Sequence, residues 1–156
     1  NMATINATIN LTSSDLTSSP LSLSKTMTMT KAGSCNGLEL SSGLVTRKFA
    51  ATTLVDLVTV GAQMYGTPTA TTNANKLYIK NTGSSTTNYV SILIGDSETD
   101  SGEELLATGG NSQITLGNLY GGDWMLIPFH GASNNDVMVQ PSTAETTTVE
   151  WMLFFE

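Results

Sequence analysis

Apolar and hydroxyl-bearing side chains alternate along residues 21–31. Odd positions are mostly apolar, and every even position from Ser22 to Thr30 is Ser or Thr. A period of two places successive side chains on opposite faces of an extended strand, whereas at helical spacing the same residues form no coherent apolar stripe. The pattern therefore predicts a strand with one packed face and one hydroxylated face.

Short apolar runs, separated by Gly, Asn and Pro, recur through the rest of the chain. They predict strands at 53–60, 76–81, 89–95, 113–116, 124–129, 136–140 and 147–155, with less definite strands near 38–40 and 44–49. This spacing favours an all-β fold, an antiparallel β-sandwich or jelly-roll-like single domain over residues 21–156, rather than alternating strands and helices. Helix is expected to be nearly absent, with at most a single turn near residues 103–106.

The first 20 residues differ in character from the rest of the chain. They repeat the unit Ala-Thr-Ile-Asn at 3–6 and 7–10, carry almost no charge, and end at Ser19-Pro20. Two interpretations stay open: a frayed terminus with one edge strand, or a segment that becomes ordered against a neighbouring subunit. We assign residues 1–20 as an extended N-terminal arm, separate from the sandwich domain.

The last predicted strand is apolar on both faces. Residues 149–155 read Val-Glu-Trp-Met-Leu-Phe-Phe, so side chains that point to opposite faces are both apolar. Such a strand must be covered on both sides, either in the centre of a sheet or at a subunit interface. A central strand is the default expectation, and the aromatic and Met content also fits an interface.

Composition and charge narrow the class of partner. Thr, Ser and Asn supply 25, 17 and 12 of the 156 residues, while charged residues supply only 12%. The net charge is −7, and Arg47-Lys48 is the only adjacent basic pair. Binding to a polyanion requires clustered Lys and Arg, so we expect no direct nucleic-acid partner. No apolar run approaches the roughly 20 residues of a membrane span, so we expect no membrane partner.

Residues that carry catalysis or bind metal are scarce. His130 is the only histidine and Cys35 the only cysteine, so one chain cannot supply the several Cys and His ligands of a zinc site. A catalytic nucleophile needs a base, and a lone histidine at the end of a strand is typically a surface residue. The Gly pairs at 109–110 and 121–122 lack the spacing of phosphate-binding loops. We therefore expect neither enzymatic activity nor a cofactor.

An acidic segment, residues 95–104, contains five carboxylates. Asp96, Glu98 and Asp100 alternate as calcium ligands do, but the glycine falls one position late and Ala107 stands where a bidentate Glu is needed. A solvated acidic loop is the favoured interpretation, and no metal site is assigned. The alternatives are a weak hard-cation site at these three residues and a pair of glycosidase carboxylates.

Five strand sequences in the second half of the chain together resemble those of a known class of protein. They are KLYIKNTG at 76–83, YVSILIG at 89–95, LYGGDWMLIPF at 119–129, DVMVQPS at 136–142 and TVEWMLF at 148–154. This series, over residues 74–156, resembles small structural proteins of tailed-bacteriophage virions, of the β-sandwich capsid decoration (cement) type. The resemblance implies a non-enzymatic virion component with a β-sandwich body.

The resemblance also implies a set of partners. Proteins of this kind sit as homotrimers at local three-fold positions of a shell, where they bridge and stabilise neighbouring major capsid proteins. The expected location is the capsid exterior of the virion, after synthesis in the cytoplasm of the bacterial host. For contact with the shell or with other copies we predict Ile5, Ile9 and Leu11 of the arm, and Trp151 and Phe154 of the last strand.

A tail or fibre piece, or a receptor-binding β-sandwich module that binds carbohydrate, is the alternative. Exposed aromatic side chains such as Tyr65, Tyr120 or Trp124 could stack on sugar rings. Trp124 follows a Gly-Asp turn but opens a strand, a position more typical of a core Trp. We therefore expect Trp124 to be buried.

Overall fold

The structure is a computed structural model that describes residues 5–15, 20–29, 40–58, 74–95, 113–129, 136–142 and 146–155. These residues form eleven strands, numbered in chain order, and contain no helix. The chain divides into two compact units, residues 1–40 with 155–156, and residues 41–154. The predicted all-β class is confirmed, and the helical turn expected near 103–106 lies outside the described residues.

The first unit contains a two-stranded antiparallel sheet, which we call the ribbon. It consists of β1 (Ile5–Ser13) and β2 (Leu21–Met29), which pair along nine residues without a register shift. The strand predicted from the alternation at 21–31 is thus present. The domain boundary predicted after residue 20 falls between the two strands of the ribbon.

The second unit contains two antiparallel sheets. Sheet one consists of β5 (Val55–Val58), β7 (Tyr89–Gly95), β8 (Gln113–Tyr120) and β10 (Asp136–Pro141), in the order β5–β10–β7–β8. Sheet two consists of β3 (Leu40–Ser41), β4 (Val45–Phe49), β6 (Ala74–Asn81), β9 (Trp124–Pro128) and β11 (Thr147–Phe155). Its order is β3–β11–β6–β9, with β4 also paired to β11. The expectation that the last strand is central in a sheet is confirmed.

Both sheets contribute to the apolar core of the second unit. Leu77 and Ile79 of β6 and Val90 and Ile92 of β7 are all 0% exposed. These residues alternate with more exposed neighbours, because successive side chains of a strand point to opposite faces. The sandwich-like arrangement of antiparallel sheets is as predicted, while jelly-roll connectivity stays a prediction.

Strand β8 continues past its predicted end at residue 116. Gly117 pairs with Ile92, and the next pair is Thr115 with Leu93. Leu116 is therefore an extra residue on β8, which is the geometry of a β-bulge. The sequence pattern suggested that the strand stops before Gly117, but a glycine inside a strand often marks a bulge instead.

Strands β8 and β9 belong to different sheets and are joined by the turn Gly121–Asp123. Asn81, at the end of β6, is 2% exposed beside this turn. Its Nδ2 donates to the Leu119 carbonyl at 2.9 Å, and its Oδ1 accepts from the Gly83 N–H at 2.9 Å. Its backbone N–H and C=O bond to the turn at 3.0 and 2.9 Å. Asn81 therefore ties one sheet to the other.

The turn requires glycine at two positions. Gly122 has a φ of +91°, in the left-handed region that residues with a Cβ rarely adopt. A Cβ on Gly121 would lie 2.6 Å from the backbone nitrogen of Ser85, closer than atoms can pack. Gly121 is thus required by the close approach of two backbones, and Gly122 by its own backbone conformation.

Candidate functional site

One face of the ribbon is apolar and exposed. The pairing of odd-numbered residues across the two strands places Ile9, Leu11, Leu21, Leu23 and Met27 on this face. These side chains are between 37% and 48% exposed. A two-stranded sheet alone is only marginally stable in water, and exposed apolar patches mark interaction sites. The face is a candidate docking surface for another protein.

The opposite face of the ribbon is a ladder of hydroxyl and amide groups. Three hydrogen bonds of 2.6 to 2.9 Å join directly opposed side chains, Thr28 to Asn6, Thr8 with Thr26, and Ser24 to Asn10. Cross-strand pairs of this kind stabilise one register. A slip by one residue would move every apolar side chain to the polar face, so the ladder keeps the docking face apolar.

A lysine interrupts the middle of the apolar face. Lys25 is exposed and lies opposite Ile9, the central pair of the ribbon. If two identical faces packed together, two ammonium groups would enter one apolar contact, where an unpaired charge is costly. The face therefore complements a surface that carries a carboxylate within an apolar strip. Lys25 is not among the residues predicted for contact, although its odd position in the alternating segment places it on this face.

The residues predicted for shell or subunit contact lie in two places. Ile9 and Leu11 are 45% and 48% exposed on the apolar face of the ribbon, and Ile5 is half-buried at the end of that face. Trp151 is half-buried in β11, with its ring centroid 6.3 Å from that of Phe49 in β4. Phe154 is only 6% exposed. Three of the five thus share one surface of the first unit, and the other two lie in β11 within the second unit.

The exposed face of sheet two carries an aromatic pair. The ring centroids of Tyr78 in β6 and Trp124 in β9 are 6.4 Å apart, with the planes tilted by 41°. The Tyr78 hydroxyl donates to Oε1 of Glu150 in β11 at 2.8 Å. Burial, this hydrogen bond and the negative charge of Glu150 raise the pKa of the Tyr78 phenol from 10.0 to about 12. The phenol is therefore a neutral hydrogen-bond donor at physiological pH.

The expectation that Trp124 is buried is wrong, because its side chain is 49% exposed. The register of β9 against β6 explains the difference. Trp124 lies opposite Lys80, while Met125 lies opposite the fully buried Ile79. Directly opposed residues share a face, so Met125 takes the inward position and Trp124 the outward one.

Three lysines that are distant in sequence share this outward face. Lys76 and Lys80 alternate with Tyr78 along β6. Lys48 of β4 lies opposite Thr148, two residues from Glu150 on β11. The contact between Tyr78 and Glu150 shows that these alternating positions belong to one surface. We call the surface formed by Lys48, Lys76, Lys80, Tyr78, Trp124 and Glu150 the lysine–aromatic face.

The sequence contained only part of the signal for this face. The alternation Lys-Leu-Tyr-Ile-Lys at 76–80 already predicts that two lysines flank one tyrosine on the same side of a strand. Lys48 and Trp124 could not be added, because their positions depend on which strands pair and in which register. That information is not local in sequence.

A second aromatic pair lies on sheet one. The rings of Tyr89 and Tyr120, which are opposed across β7 and β8, form an edge-to-face contact with centroids 5.4 Å apart. Tyr120 is 40% exposed. Tyr65, the third aromatic residue considered for sugar stacking, lies outside the described residues.

Several candidate residues fall outside the described residues, namely Asp96, Glu98, Asp100, His130 and Cys35. Within the described ranges, no group of three or more His, Cys, Asp or Glu side chains is placed to hold a metal ion. In the same ranges, no helix is long and apolar enough to cross a membrane.

A scan against models of known protein families found no match, and a search of curated proteins found no similar sequence.

Proposed function

We propose that the protein is a non-enzymatic structural component of a bacteriophage virion, a capsid decoration (cement) protein that bridges and stabilises neighbouring major capsid proteins. The observation that carries the proposal is the exposed apolar face of the ribbon. The resemblance of residues 74–156 to this class of virion protein supports it independently, because that segment and the ribbon do not overlap.

The occupant proposed for the apolar face is the major capsid protein rather than a second ribbon. Lys25 disfavours the packing of two identical faces and favours a partner with a carboxylate at the matching position. Full burial of a Leu or Ile side chain contributes about 1.5–3 kcal/mol. Ile9 and Leu11 are still 45% and 48% exposed, so a partner that covers them gains about 1 kcal/mol from each.

Multivalent attachment would raise the overall binding affinity above that of a single ribbon. In the proposed homotrimer at a local three-fold position, three ribbons engage three neighbouring capsid proteins, and the second and third contacts form at a high effective concentration. The protein binds the assembled lattice and not free subunits, so it stabilises the shell by mass action. The proposed location is the capsid exterior, after synthesis in the bacterial host cytoplasm.

Variants of the two ribbon faces test this proposal on particles that lack the protein. The pair Ile9→Ser and Leu11→Ser should weaken binding per ribbon by about 2 kcal/mol, roughly 30-fold. The matched control, Thr12→Ala with Ser22→Ala, changes an opposed pair on the polar face outside the three hydrogen bonds of the ladder and should leave binding within about threefold. Co-sedimentation with particles measures both. Unchanged binding of the apolar-face variant would refute the docking surface.

The molar ratio of this chain to the major capsid protein in purified particles tests the placement. Quantitative mass spectrometry should give a simple lattice fraction if the protein lies throughout the shell. A ratio of a few per cent would replace shell decoration with a fibre, tail or vertex component. Absence of the chain from particles would overturn the virion proposal.

The second candidate is a tail, fibre or receptor-binding module that binds carbohydrate. One observation favours it: Trp124 and Tyr120 are 49% and 40% exposed, each at one end of the turn that contains Asp123. Exposed aromatic rings beside a carboxylate suit the stacking and hydrogen bonding of sugar rings. The molar ratio described above separates this candidate from shell decoration.

A further inference from the structure

We infer that the lysine–aromatic face of sheet two binds an acidic saccharide, a chain of pyranose rings that carry carboxylate or sulfate groups. This inference goes beyond attachment to a shell through the ribbon and does not depend on it. It also gives the receptor-binding candidate a specific class of ligand and a specific surface.

The aromatic pair supplies an apolar platform. Trp124 is 49% exposed, and Tyr78 lies beside it with a centroid separation of 6.4 Å. An aromatic ring with one open side is suited to the apolar C–H face of a pyranose. The two rings come from neighbouring strands of one sheet, and a sheet surface suits an extended polymer more than a small molecule that needs a concave pocket.

The charge of this face is opposite in sign to that of the whole chain. The protein has six basic residues and a net charge of −7, yet three of its lysines lie on this face, which carries Glu150 and has the carboxylate of Asp123 at its edge beside Trp124. At physiological ionic strength, charges more than about 8 Å away are largely screened, so each acidic group of a bound polymer responds to the lysine nearest to it more than to the net charge of the chain. The complementary ligand is therefore anionic.

Glu150 distinguishes between classes of anionic ligand. A carboxylate offers about four acceptor positions, and the Tyr78 hydroxyl occupies one of them at Oε1. A sugar hydroxyl can donate to this carboxylate while the acidic group of the same polymer approaches a lysine. Glu150 repels the ionised groups of any polyanion, and a pyranose polymer differs from a nucleic acid or an acidic peptide in carrying several hydroxyl donors on each ring beside its acidic group. An acidic saccharide satisfies the lysines, Glu150 and the aromatic rings together.

Affinity electrophoresis of the purified full-length chain, in native gels that contain alginate, tests the inference. Alginate is a polymer of uronic acids, and neutral dextran is the uncharged control. Alginate should retard the protein, dextran should retard it much less, and the retardation should decrease as salt is raised. Polyglutamate and oligo(dT) probe the acidic-peptide and nucleic-acid alternatives.

Two substitutions locate the site. Trp124→Ala and Lys80→Gln should each raise the dissociation constant for alginate by about threefold to tenfold. Arg47→Gln is the matched control for the lysine. It removes the same charge from β4, which β11 separates from β6, and the Arg47 guanidinium carbon lies 5.3 Å from the centroid of the buried Phe49 ring on the other face of the sheet. It should change the constant by less than about twofold. Circular dichroism checks that each variant is folded. If Trp124→Ala does not fold, the result for Lys80→Gln alone decides whether this face is the binding site.

The result expected is retardation by alginate that both site variants reduce and the Arg47 control preserves. The inference is overturned if neither site variant changes retardation, if dextran retards the protein as strongly as alginate, or if no probe binds. Stronger binding to polyglutamate or oligo(dT) would also overturn it. None of these outcomes bears on shell binding through the ribbon, so the two proposals fail separately.

Discussion

Replacing Asn81 by Asp should destabilise the second unit at neutral pH, and this effect should diminish as the pH falls. Asn81 is 2% exposed, and its Nδ2 donates to the Leu119 carbonyl at 2.9 Å. An Asp at this position points a carboxylate oxygen at the same carbonyl. Loss of the donor costs about 1–3 kcal/mol, and the unpaired buried charge brings the total to about 3–5 kcal/mol.

The pH dependence follows from the protonation of the introduced carboxyl group. Burial raises its pKa in the folded state above the unfolded value of about 3.9. Over the interval between the two values the folded state binds more protons, so stability is lost as the pH rises through the folded-state pKa. Near pH 4 the protonated group can donate its O–H to Leu119, and the destabilisation should fall to about 1–2 kcal/mol.

Urea unfolding followed by tryptophan fluorescence measures this prediction. Both tryptophans lie in the second unit, so the signal reports on the unit that contains Asn81. Asn118→Asp is the matched control, because Asn118 is exposed and its Oδ1 only accepts a hydrogen bond from Ser91 Oγ, at 2.9 Å. A carboxylate accepts that bond equally well, so the control should stay within about 0.5 kcal/mol of the parent. The reasoning fails if both variants have the same free energy of unfolding at pH 7. It also fails if the loss of unfolding free energy in Asn81→Asp does not change with pH.

Three further predictions concern the same unit. Gly121→Ala, whose Cβ would lie 2.6 Å from a backbone nitrogen, and Gly122→Ala, at φ +91°, should each lose at least about 1–2 kcal/mol in urea unfolding. Gly117→Ala, where a Cβ meets nothing within 4 Å, should stay near the parent, and equal losses in all three would contradict the turn geometry. In a spectrophotometric titration, Tyr78→Phe should remove the tyrosinate absorbance that develops near pH 12. The pKa of Tyr78 is raised by folding, so its contribution to stability is complete below pH 10 and is lost as the pH rises to about 12. If the absorbance change near pH 12 were the same in the variant and the parent, Tyr78 would not be the group that titrates there. Phe49→Ala should cost about 3–5 kcal/mol in thermal unfolding, because the side chain is 2% exposed, and a loss below about 1 kcal/mol would show that the site repacks.

The strands could be predicted from the sequence because their signal is local. Alternation and flanking turn residues predicted strands at 89–95 and 147–155, and the structure has them at Tyr89–Gly95 and Thr147–Phe155. The strand at 113–116 was predicted too short because a glycine within a bulge has the same appearance in sequence as a glycine that ends a strand. Local pattern therefore identifies elements better than it identifies their ends.

The candidate surfaces were predictable only in part, because they depend on pairing. Ile5, Ile9 and Leu11 occupy odd positions of β1 and therefore share a face by alternation alone. The outward position of Trp124 depends on its register opposite Lys80, which no local pattern contains. Lys48 joins the same surface only through the order of β4, β11 and β6 in the sheet. From the sequence, residues of one strand can be assigned to a common face, but the neighbouring strands that complete the surface cannot be identified.

The ribbon also has a consequence for the behaviour of the protein at high concentration. Its sheet contains only β1 and β2, so each strand has one edge without a strand partner among the described residues. Edges of this kind can add strands from other molecules and begin fibril growth, and the Asn and Thr ladder would continue across such an addition. In a stack of ribbons that grows edge to edge, Lys25 would recur about every 10 Å, the width of two strands, and the repeated charge would oppose growth. The central lysine would thus oppose self-polymerisation, and under the proposed function the same side chain would both keep the free protein in solution and contact the capsid protein.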